Sequence, residues 1–584
     1  MNPIRIVACL LAAVACASGA AQAQSRPTYY TSGGVKALYY TPDANPNPKV
    51  AFLIVHRTGN YLSHIGCSEL SKRGYAVFCM NTRFENNEFQ VDWDRIALDV
   101  KVGVEYLRKQ PGIEKVILFG HSGGGPTLSF YQAVAEKGIG FCQDTRKIVP
   151  CNNDLANLPP ADGLILADAH PGVPVILLRS LNGSVLRETP GAFDPALDPY
   201  SPANGYNAAG ASTYSPDFQA RYFAAQSRRM NSLIAEADRR TKDIAAGKGP
   251  FPDNDQFAIP HGGNPGAGPG GASQLHSLDP QISLRKTQRP QKLIRNDGSI
   301  DRQLVTTVSP VELDTLASTM SFNRGTKQLS LRSFLSTQAV RSTNSLDGID
   351  HCSSNNSTIC AVGAISVPTL VMGMGGYLFI RDSEEEFDAS AAKDKDLVFI
   401  EGATHGFTPC ANCMNTGGAA AYSNSVKNLF DYVDGWASPR YRADSSPVLS
   451  GGGSMLGGQV DLQFGAINSL LPHIRSGKLR ALAVGGARRA SLLPDVPTVA
   501  EAGLPRYDSE IWLGLAAPAR TPAAVIKRIS TDVIGVLAEP AVKEKLAEQG
   551  IEARSSTPQE MTKLVEKDTE RWASVIKSAG IKAE

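Results

Sequence analysis

From Lys49 onward, short apolar runs alternate with longer amphipathic segments, and this alternation is typical of a parallel sheet with crossover helices. Six runs rich in Val, Ile and Leu predict strands that are covered by helices on both faces. They are 50–55, 76–80, 115–119, 163–167, 369–372 and 397–400. Between Trp93 and Arg108 the apolar residues recur at helical spacing, which predicts one of the crossover helices.

The segment 171–365 separates the fourth predicted strand from the fifth and is far longer than a crossover requires. We expect it to be a cap inserted into the sheet domain. Within it, 217–239 predicts a helix with one apolar face, and 260–271 is so rich in Gly and Pro that it predicts a loop. The apolar face, which we expect to pack in a core, consists of Phe218, Tyr222, Phe223, Met230, Leu233, Ile234 and Ala237.

A chain of 584 residues exceeds what one core accommodates, so at least two domains are expected. A stretch rich in Ser, Pro and Gly, 441–453, predicts a linker. A new pattern of strands and helices fills 454–584. The sequence therefore predicts an α/β domain over 30–440 and a second, smaller α/β module.

The N-terminal residues have the order of a secretory signal peptide: a positive region ending at Arg5, an apolar run over 6–14, and small residues up to Ala23. The run is shorter than the roughly 20 residues of a spanning helix. No later stretch of the sequence is long and apolar enough to span a bilayer. We expect loss of 1–23 and a periplasmic or secreted location, with lipoprotein processing at Cys16 as the alternative.

Eight cysteines follow this leader, and an even number in an exported chain favours disulfides. They form four couples of near neighbours, and we expect each couple to bond: 67 with 79, 142 with 151, 352 with 360, and 410 with 413. For the last couple, half of a metal site or a redox pair is the alternative. The sequence contains no second ligand cluster of matching spacing.

The strongest chemical signal is the pentapeptide 120–124, Gly-His-Ser-Gly-Gly, between a predicted strand and a predicted helix. In this G-x-S-x-G setting the serine lies on a strained turn, where side chains on the flanking residues would clash. The helix that follows directs free N–H groups towards an oxyanion formed there. We interpret Ser122 as a nucleophile and the Gly123 N–H as one oxyanion donor.

A serine hydroxyl needs a base, and His405 follows the last predicted strand in 401–407, Glu-Gly-Ala-Thr-His-Gly-Phe. With these residues the region from Tyr39 to Trp436 resembles the α/β-hydrolase superfamily, whose base histidine lies in such a loop. The resemblance implies an α/β-hydrolase fold, a mainly parallel sheet flanked by helices, with Ser122 and His405 in contact. His121, beside the nucleophile, is interpreted as a packing residue.

Two aspartates compete for the role of the acid that orients His405. The superfamily commonly places this acid after the fifth predicted strand, where this chain has glycine and then Asp382. Some relatives place it at the end of the strand before the cap, where Asp168 stands. We prefer Asp168 and keep Asp382 as the alternative, although Asp382 also suits a helix N-cap.

The second oxyanion donor is expected after the first predicted strand. The superfamily usually has His-Gly there, whereas this chain has His56-Arg57-Thr58. We choose the N–H of Thr58, with Arg57 as the alternative. No zinc-binding triplet, phosphate loop or dinucleotide motif accompanies these residues, so the sequence implies neither a cofactor nor a metal.

The C-terminal module resembles the periplasmic solute-binding receptors of tripartite tricarboxylate transporters. The matching segments are 458–464 (GQVDLQF), 471–484 (LPHIRSGKLRALAV), 493–503 (LPDVPTVAEAG), 512–518 (WLGLAAP) and 579–584 (AGIKAE). Those receptors close two lobes around a carboxylate, and only their second half has a counterpart here. The resemblance implies a partial periplasmic-binding-protein-like module, and an inert or docking remnant is preferred over a working receptor.

Charge is almost balanced, with 58 Lys and Arg against 56 Asp and Glu, which disfavours nucleic acid as a partner. The sequence therefore predicts an exported carboxylic ester hydrolase that acts through an acyl-serine intermediate. The alternative is a carboxylate-binding receptor with a fused hydrolase domain. A combined hypothesis, motivated by the fusion, is that the enzyme releases an organic or aromatic acid for uptake.

Overall fold

The computed structural model covers the chain from the N-terminal hairpin to the last helix. It describes residues 26–578 except 43–44, 46, 189–191, 261–274, 312–325, 414–417, 443–466, 468–470, 472–473, 475–478, 506, 508, 510–513, 518–520 and 549–551. The expected signal peptide, 1–23, lies outside the described residues. So do nearly all of the Gly- and Pro-rich loop 260–271, most of the linker 441–453, and the segments 458–464 and 579–584 of the tail.

Strands and helices alternate through the first part of the chain, as the hydrophobic pattern predicts. The strands are β1 (Arg26–Ser32), β2 (Val35–Thr41), β3 (Val50–His56), β4 (Ala76–Asn81), β5 (Lys115–His121), β6 (Gly163–Ala167), β7 (Gln256–Ile259), β8 (Gln291–Ile294), β9 (Ile300–Gln303), β10 (Lys327–Ser330), β11 (Ser342–Asn344), β12 (Gly348–Ile349), β13 (Thr369–Met374) and β14 (Lys395–Ile400). All six predicted strands are confirmed, as β3, β4, β5, β6, β13 and β14.

The helices of the first part connect these strands and build the segment 171–365. They are α1 (Ile65–Lys72), α2 (Trp93–Arg108), α3 (Gly124–Lys137), α4 (Val173–Ser180), α5 (Pro216–Ala245), α6 (Leu275–Leu278), α7 (Leu331–Thr337), α8 (Thr358–Val362), α9 (Ile380–Ala389) and α10 (Ser425–Tyr441). The predicted helices at 93–108 and 217–239 are confirmed as α2 and α5, and α5 is longer than its apolar face indicated.

Ten strands form one sheet in the order β1-β2-β4-β3-β5-β6-β13-β14-β8-β9. Every neighbouring pair from β4 to β8 is parallel, and the outer strands β1, β2 and β9 pair antiparallel. The inner strands are buried on both faces, because helices cover each side. This is the expected α/β-hydrolase fold, and its parallel strands deliver their carboxyl ends to one edge of the sheet.

The segment 171–365 contributes more than a cap. It contains two apolar clusters of its own, around α4, α5 and α7 and around the N-terminal half of α5. It also contains β8 and β9, and β8 pairs parallel with β14 at the far edge of the main sheet. Both strands have only four residues, too few for the hydrophobic pattern to distinguish them from loop.

The four expected disulfides are present: Cys67–Cys79, Cys142–Cys151, Cys352–Cys360 and Cys410–Cys413. Each joins residues that are close in sequence, so each constrains a local turn or loop. Among the described residues, no helix is both long and apolar enough to cross a membrane.

The chain divides into two compact units, Met1–Leu449 and Ser450–Glu584. In the second unit the structure describes helices α11 (Ala523–Ala538), α12 (Pro540–Glu548) and α13 (Pro558–Ser578). It also describes a parallel bridge between Val484 and Thr498. Several large apolar side chains of α11 and α13 are exposed: Val525, Ile529, Val536, Leu564, Val565, Trp572 and Val575.

Candidate active site

Ser122 lies on the sharp turn between β5 and α3, with a φ of 56° that non-glycine residues rarely adopt. The turn is tight enough to require its glycines. A Cβ at Gly120 would lie 2.8 Å from the Gly124 carbonyl oxygen, and a Cβ at Gly124 would lie 2.4 Å from the Val55 carbonyl oxygen. The G-x-S-x-G pattern therefore reflects close packing of the backbone around the serine.

His405 and Asp168 join Ser122 in one hydrogen-bonded line. His405 Nε2 lies 2.9 Å from Ser122 Oγ, and His405 Nδ1 lies 2.5 Å from Asp168 Oδ2. The three residues follow β14, β6 and β5, whose carboxyl ends share one edge of the sheet. This arrangement allows the imidazole to accept the serine proton while the carboxylate holds its other nitrogen.

Asp168 is completely buried and is held from two sides. Its Oδ2 accepts from His405 Nδ1, and its Oδ1 accepts from the Met374 N–H at 3.3 Å. Burial raises the pKa of this carboxyl above its ordinary value. The residue also has a φ of 45°, a left-handed conformation that Asp and Asn tolerate better than most side chains.

The alternative acid, Asp382, has a different partner. Its Oδ1 accepts from Arg179 Nη1 at 2.7 Å, and both side chains are buried. Asp382 lies in the first turn of α9 and makes no hydrogen bond to His405 among the described residues. The structure thus brings Asp168, and not Asp382, to the imidazole.

Neutral imidazoles connect the turn that carries Ser122 to the loop that carries His405. The Gly66 N–H donates to His64 Nδ1 at 3.1 Å, so the proton of a neutral His64 is on Nε2. His64 Nε2 donates to His121 Nδ1 at 2.9 Å, and His121 Nε2 donates to the His405 carbonyl oxygen at 2.7 Å. Burial lowers the pKa of His64 to about 4 and that of His121 well below its ordinary value, which keeps both rings neutral.

His121 therefore does more than pack. It is almost fully buried, as the packing interpretation requires, but it also donates to the backbone of the loop that carries His405. The ring of Tyr377 stacks on the imidazole of His405, with the two centroids 4.4 Å apart. Beyond His405 the loop is closed by a 2.8 Å bond from the Thr404 N–H to the Thr408 carbonyl and by the disulfide of Cys410.

The two expected oxyanion donors are in different situations. Gly123 directly precedes α3, and its N–H makes no hydrogen bond among the described residues. The Thr58 N–H, in contrast, already donates to His56 Nδ1 at 3.1 Å. The alternative, Arg57, has its guanidinium in a bidentate pair with Glu88 at 2.6 and 2.7 Å.

Sequence reasoning missed the role of the polar side chains around this edge, especially His56 and His64. Both lie in or beside the loop after β3, where the departure from the usual His-Gly was the one available signal. Their hydrogen bonds join residues that are distant in the chain, so no local pattern indicates them. In the described part of the chain, no group of three or more His, Cys, Asp or Glu is arranged to hold a metal.

Comparison with known proteins identifies the second unit. Residues 439–581 match the model of the tripartite tricarboxylate transporter family receptor. A UPF0065 protein from the tcbD-tcbE intergenic region of Pseudomonas sp. (strain P51) is 35% identical over 133 residues, which cover 23% of this chain and 39% of that protein. A second, from the clcB-clcD intergenic region of Pseudomonas knackmussii, is 30% identical over 123 residues, covering 21% of this chain and 73% of that protein.

The chain spans about two fifths of the length of the first curated relatives that it matches. Among solved structures, Est1E from Butyrivibrio proteoclasticus is similar to 72% of this chain over its whole length. The sequence identity is 11% and the TM-score is 0.33.

Proposed function

Because the chain belongs, through residues 439–581, to the tripartite tricarboxylate transporter receptor family and has an α/β-hydrolase fold before them, we propose that it is an exported serine hydrolase of carboxylic esters with a receptor-like C-terminal module. The observation that carries the proposal is the 2.9 Å contact between Ser122 Oγ and His405 Nε2, with Asp168 behind the imidazole.

In the proposed reaction, His405 Nε2 takes the proton of Ser122 as its oxygen attacks the ester carbonyl carbon. The resulting tetrahedral oxyanion is stabilised by N–H donors, of which the Gly123 amide is one. Collapse breaks the bond to the alcohol oxygen, and His405 returns the proton to the departing alkoxide. Water then attacks the acyl-serine by the same steps and releases the acid.

Asp168 orients the imidazole and stabilises the imidazolium during both steps. Its buried carboxylate accepts from Nδ1, which leaves Nε2 unprotonated and able to act as a base. Burial raises the pKa of Asp168 because it destabilises the carboxylate, and the positive charge that develops on His405 offsets part of that cost. The Tyr377 ring and the His121 hydrogen bond keep the imidazole and its loop in this position.

An active-site serine probe tests the proposal directly. We expect a fluorophosphonate to label Ser122 of the full-length protein and to abolish hydrolysis of short-chain and aromatic aryl esters. Ser122→Ala should lose labelling and turnover while keeping its circular dichroism spectrum and thermal midpoint. Ester turnover that persists in Ser122→Ala would overturn the assignment of the nucleophile.

Two features support export. An apolar leader precedes residue 24, and the disulfides join all eight cysteines beyond it. Structural disulfides persist in oxidising compartments and are rare in the cytosol. The proposal predicts mature protein that begins near residue 24 in the periplasmic fraction, which N-terminal sequencing of that fraction would check.

A second candidate function is carboxylate binding by the receptor-like module, which the family match of 439–581 favours. Calorimetric titration of the full-length Ser122→Ala variant with dicarboxylates and benzoate tests it, because this variant cannot produce acids from contaminating esters. Saturable heat would support a receptor function beside the hydrolase. The absence of any heat would leave hydrolysis as the function of the chain.

A further inference from the structure

His56, at the end of β3, has a fixed tautomer. Its Nδ1 accepts two backbone hydrogen bonds, from Thr58 N–H at 3.1 Å and from Gly59 N–H at 2.6 Å. Because both donors occupy Nδ1, the proton of the neutral ring must be on Nε2. Burial lowers the pKa of His56 to about 3, so the ring stays neutral throughout the physiological range.

The Nε2–H of His56 faces the turn that carries the nucleophile. A methyl group built on Gly123 would lie 2.5 Å from His56 Nε2, so the ring occupies the space in which another side chain at position 123 would lie. The ring is held there by stacking on Tyr61, with centroids 5.0 Å apart. Glycine at position 123 is therefore what allows the imidazole to approach the serine turn.

This N–H is also unused. Among the described residues His56 makes hydrogen bonds through Nδ1 alone. Its Nε2 is not a fully buried atom, and within the described part of the chain its N–H has no acceptor. A partly buried imidazole with a fixed tautomer and an available N–H beside Ser122 is suited to stabilise a negative charge that appears during reaction.

We propose that His56 Nε2–H is a side-chain donor of the oxyanion hole and acts together with the Gly123 N–H. The inference rests on the proposed function. In this proposal His56 Nε2–H takes the place of the Thr58 N–H as the second donor. The Thr58 N–H already donates to His56 Nδ1 and thereby orients the ring. A neutral donor needs no counter-ion, and its charge does not change with pH. Because the ester carbonyl oxygen gains negative charge only as the transition state forms, such a donor stabilises the transition state more than the bound ester.

Two substitutions of His56 separate this role from a structural one. In His56→Asn the amide oxygen takes the place of Nδ1 and can still accept from the Thr58 N–H, but nothing reaches the position of Nε2. In His56→Gln the amide nitrogen reaches the position of Nε2 and can donate, but the Nδ1 acceptor is lost. His56→Asn therefore keeps the acceptor that orients the side chain, and His56→Gln keeps the donor that faces the serine turn.

Steady-state hydrolysis of an aryl ester by the full-length variants tests the proposal. We expect His56→Asn to lower kcat by about 100- to 1,000-fold with KM within about threefold, and His56→Gln to remain within about tenfold of the wild type. A trifluoromethyl ketone, whose adduct with Ser122 carries an oxyanion, should lose affinity for His56→Asn by a factor similar to the loss in kcat. Thermal midpoints verify that both variants fold.

The outcomes distinguish the donor role of His56 from the proposed hydrolase function. An active wild type whose His56→Asn variant keeps its kcat would overturn the donor role alone, as would equal losses in both variants or a larger loss in His56→Gln. A wild type that neither turns over esters nor reacts with a fluorophosphonate at Ser122 would overturn the proposed function and the donor role with it.

Discussion

Replacing Asp168 by Asn tests the hydrogen-bonded line most directly. The backbone should tolerate the change, because Asn adopts the left-handed φ of 45° as readily as Asp. The side chain cannot satisfy both of its partners. Asp168 accepts from His405 Nδ1 through one oxygen and from the Met374 N–H through the other, whereas an amide has a single oxygen.

Either orientation of the amide impairs the base. If its oxygen stays on the Met374 N–H, its NH₂ group faces His405 Nδ1 and drives the proton to Nε2, which then cannot accept from Ser122. If it turns round, the NH₂ group faces the Met374 N–H, and the imidazolium still lacks its anion. Loss of the correct tautomer in a serine triad costs about 10⁴-fold in kcat, or about 5 kcal/mol of transition-state stabilisation.

Asp382→Asn is the matched control, since it makes the same chemical change at the alternative acid. This substitution leaves the buried Arg179 guanidinium without its anion, which should lower the free energy of unfolding by about 3 to 5 kcal/mol. Its effect on kcat per folded molecule should stay below about tenfold. The assay is aryl ester hydrolysis, normalised to the folded fraction from urea denaturation. An Asp168→Asn variant within tenfold of the wild type, or an equal loss of kcat in Asp382→Asn, would show that Asp168 is not the residue that orients His405.

Two further predictions use other contacts of the site. Gly123→Ala places a methyl group 2.5 Å from His56 Nε2 and should lower kcat at least tenfold. The control, Gly435→Ala in α10, adds a methyl group that meets nothing within 4 Å and should keep full activity. Equal kinetics of the two variants would show that the space beside Gly123 is not critical. His64 has a folded-state pKa of about 4, below the roughly 6.5 of an unfolded histidine, so the unfolded chain binds more protons between these values. The free energy of unfolding should therefore fall by about 1.4 kcal/mol per pH unit from this group as pH drops from 6.5 to 4, and urea titrations of His64→Gln should show a shallower dependence than the wild type.

The strands and the sharp turn around Ser122 were predictable from local sequence. Strands covered on both faces are continuous apolar runs, and the glycines around Ser122 are required by backbone contacts within the turn or with the neighbouring strand. His405 was predictable because it follows the last strand of the sheet. These features depend on residues close in sequence or on the position of a strand end, and both leave a readable pattern.

Tertiary structure brought Asp168, and not Asp382, into contact with His405. Each aspartate follows a strand of the sheet, and no local pattern reveals that Arg179, from the segment 171–365, takes Asp382 as its partner. Our proposal for the second oxyanion donor depends in the same way on where the His56 ring lies, because that ring accepts from the Thr58 N–H. Pairings of this kind are set when distant segments pack, and burial then determines which donors and acceptors remain free.

Local sequence was sufficient for the α/β alternation, for the serine turn and for the receptor-like character of the module predicted over 454–584, because periodicity, glycine positions and contiguous motifs carry this information. Tertiary packing was needed to place β8 beside β14, to bring Asp168 to His405, and to set the His56 ring beside Gly123, where its Nε2–H meets no acceptor among the described residues. Hydrogen bonds between distant segments leave no period in the sequence, because proximity in the folded chain selects each partner.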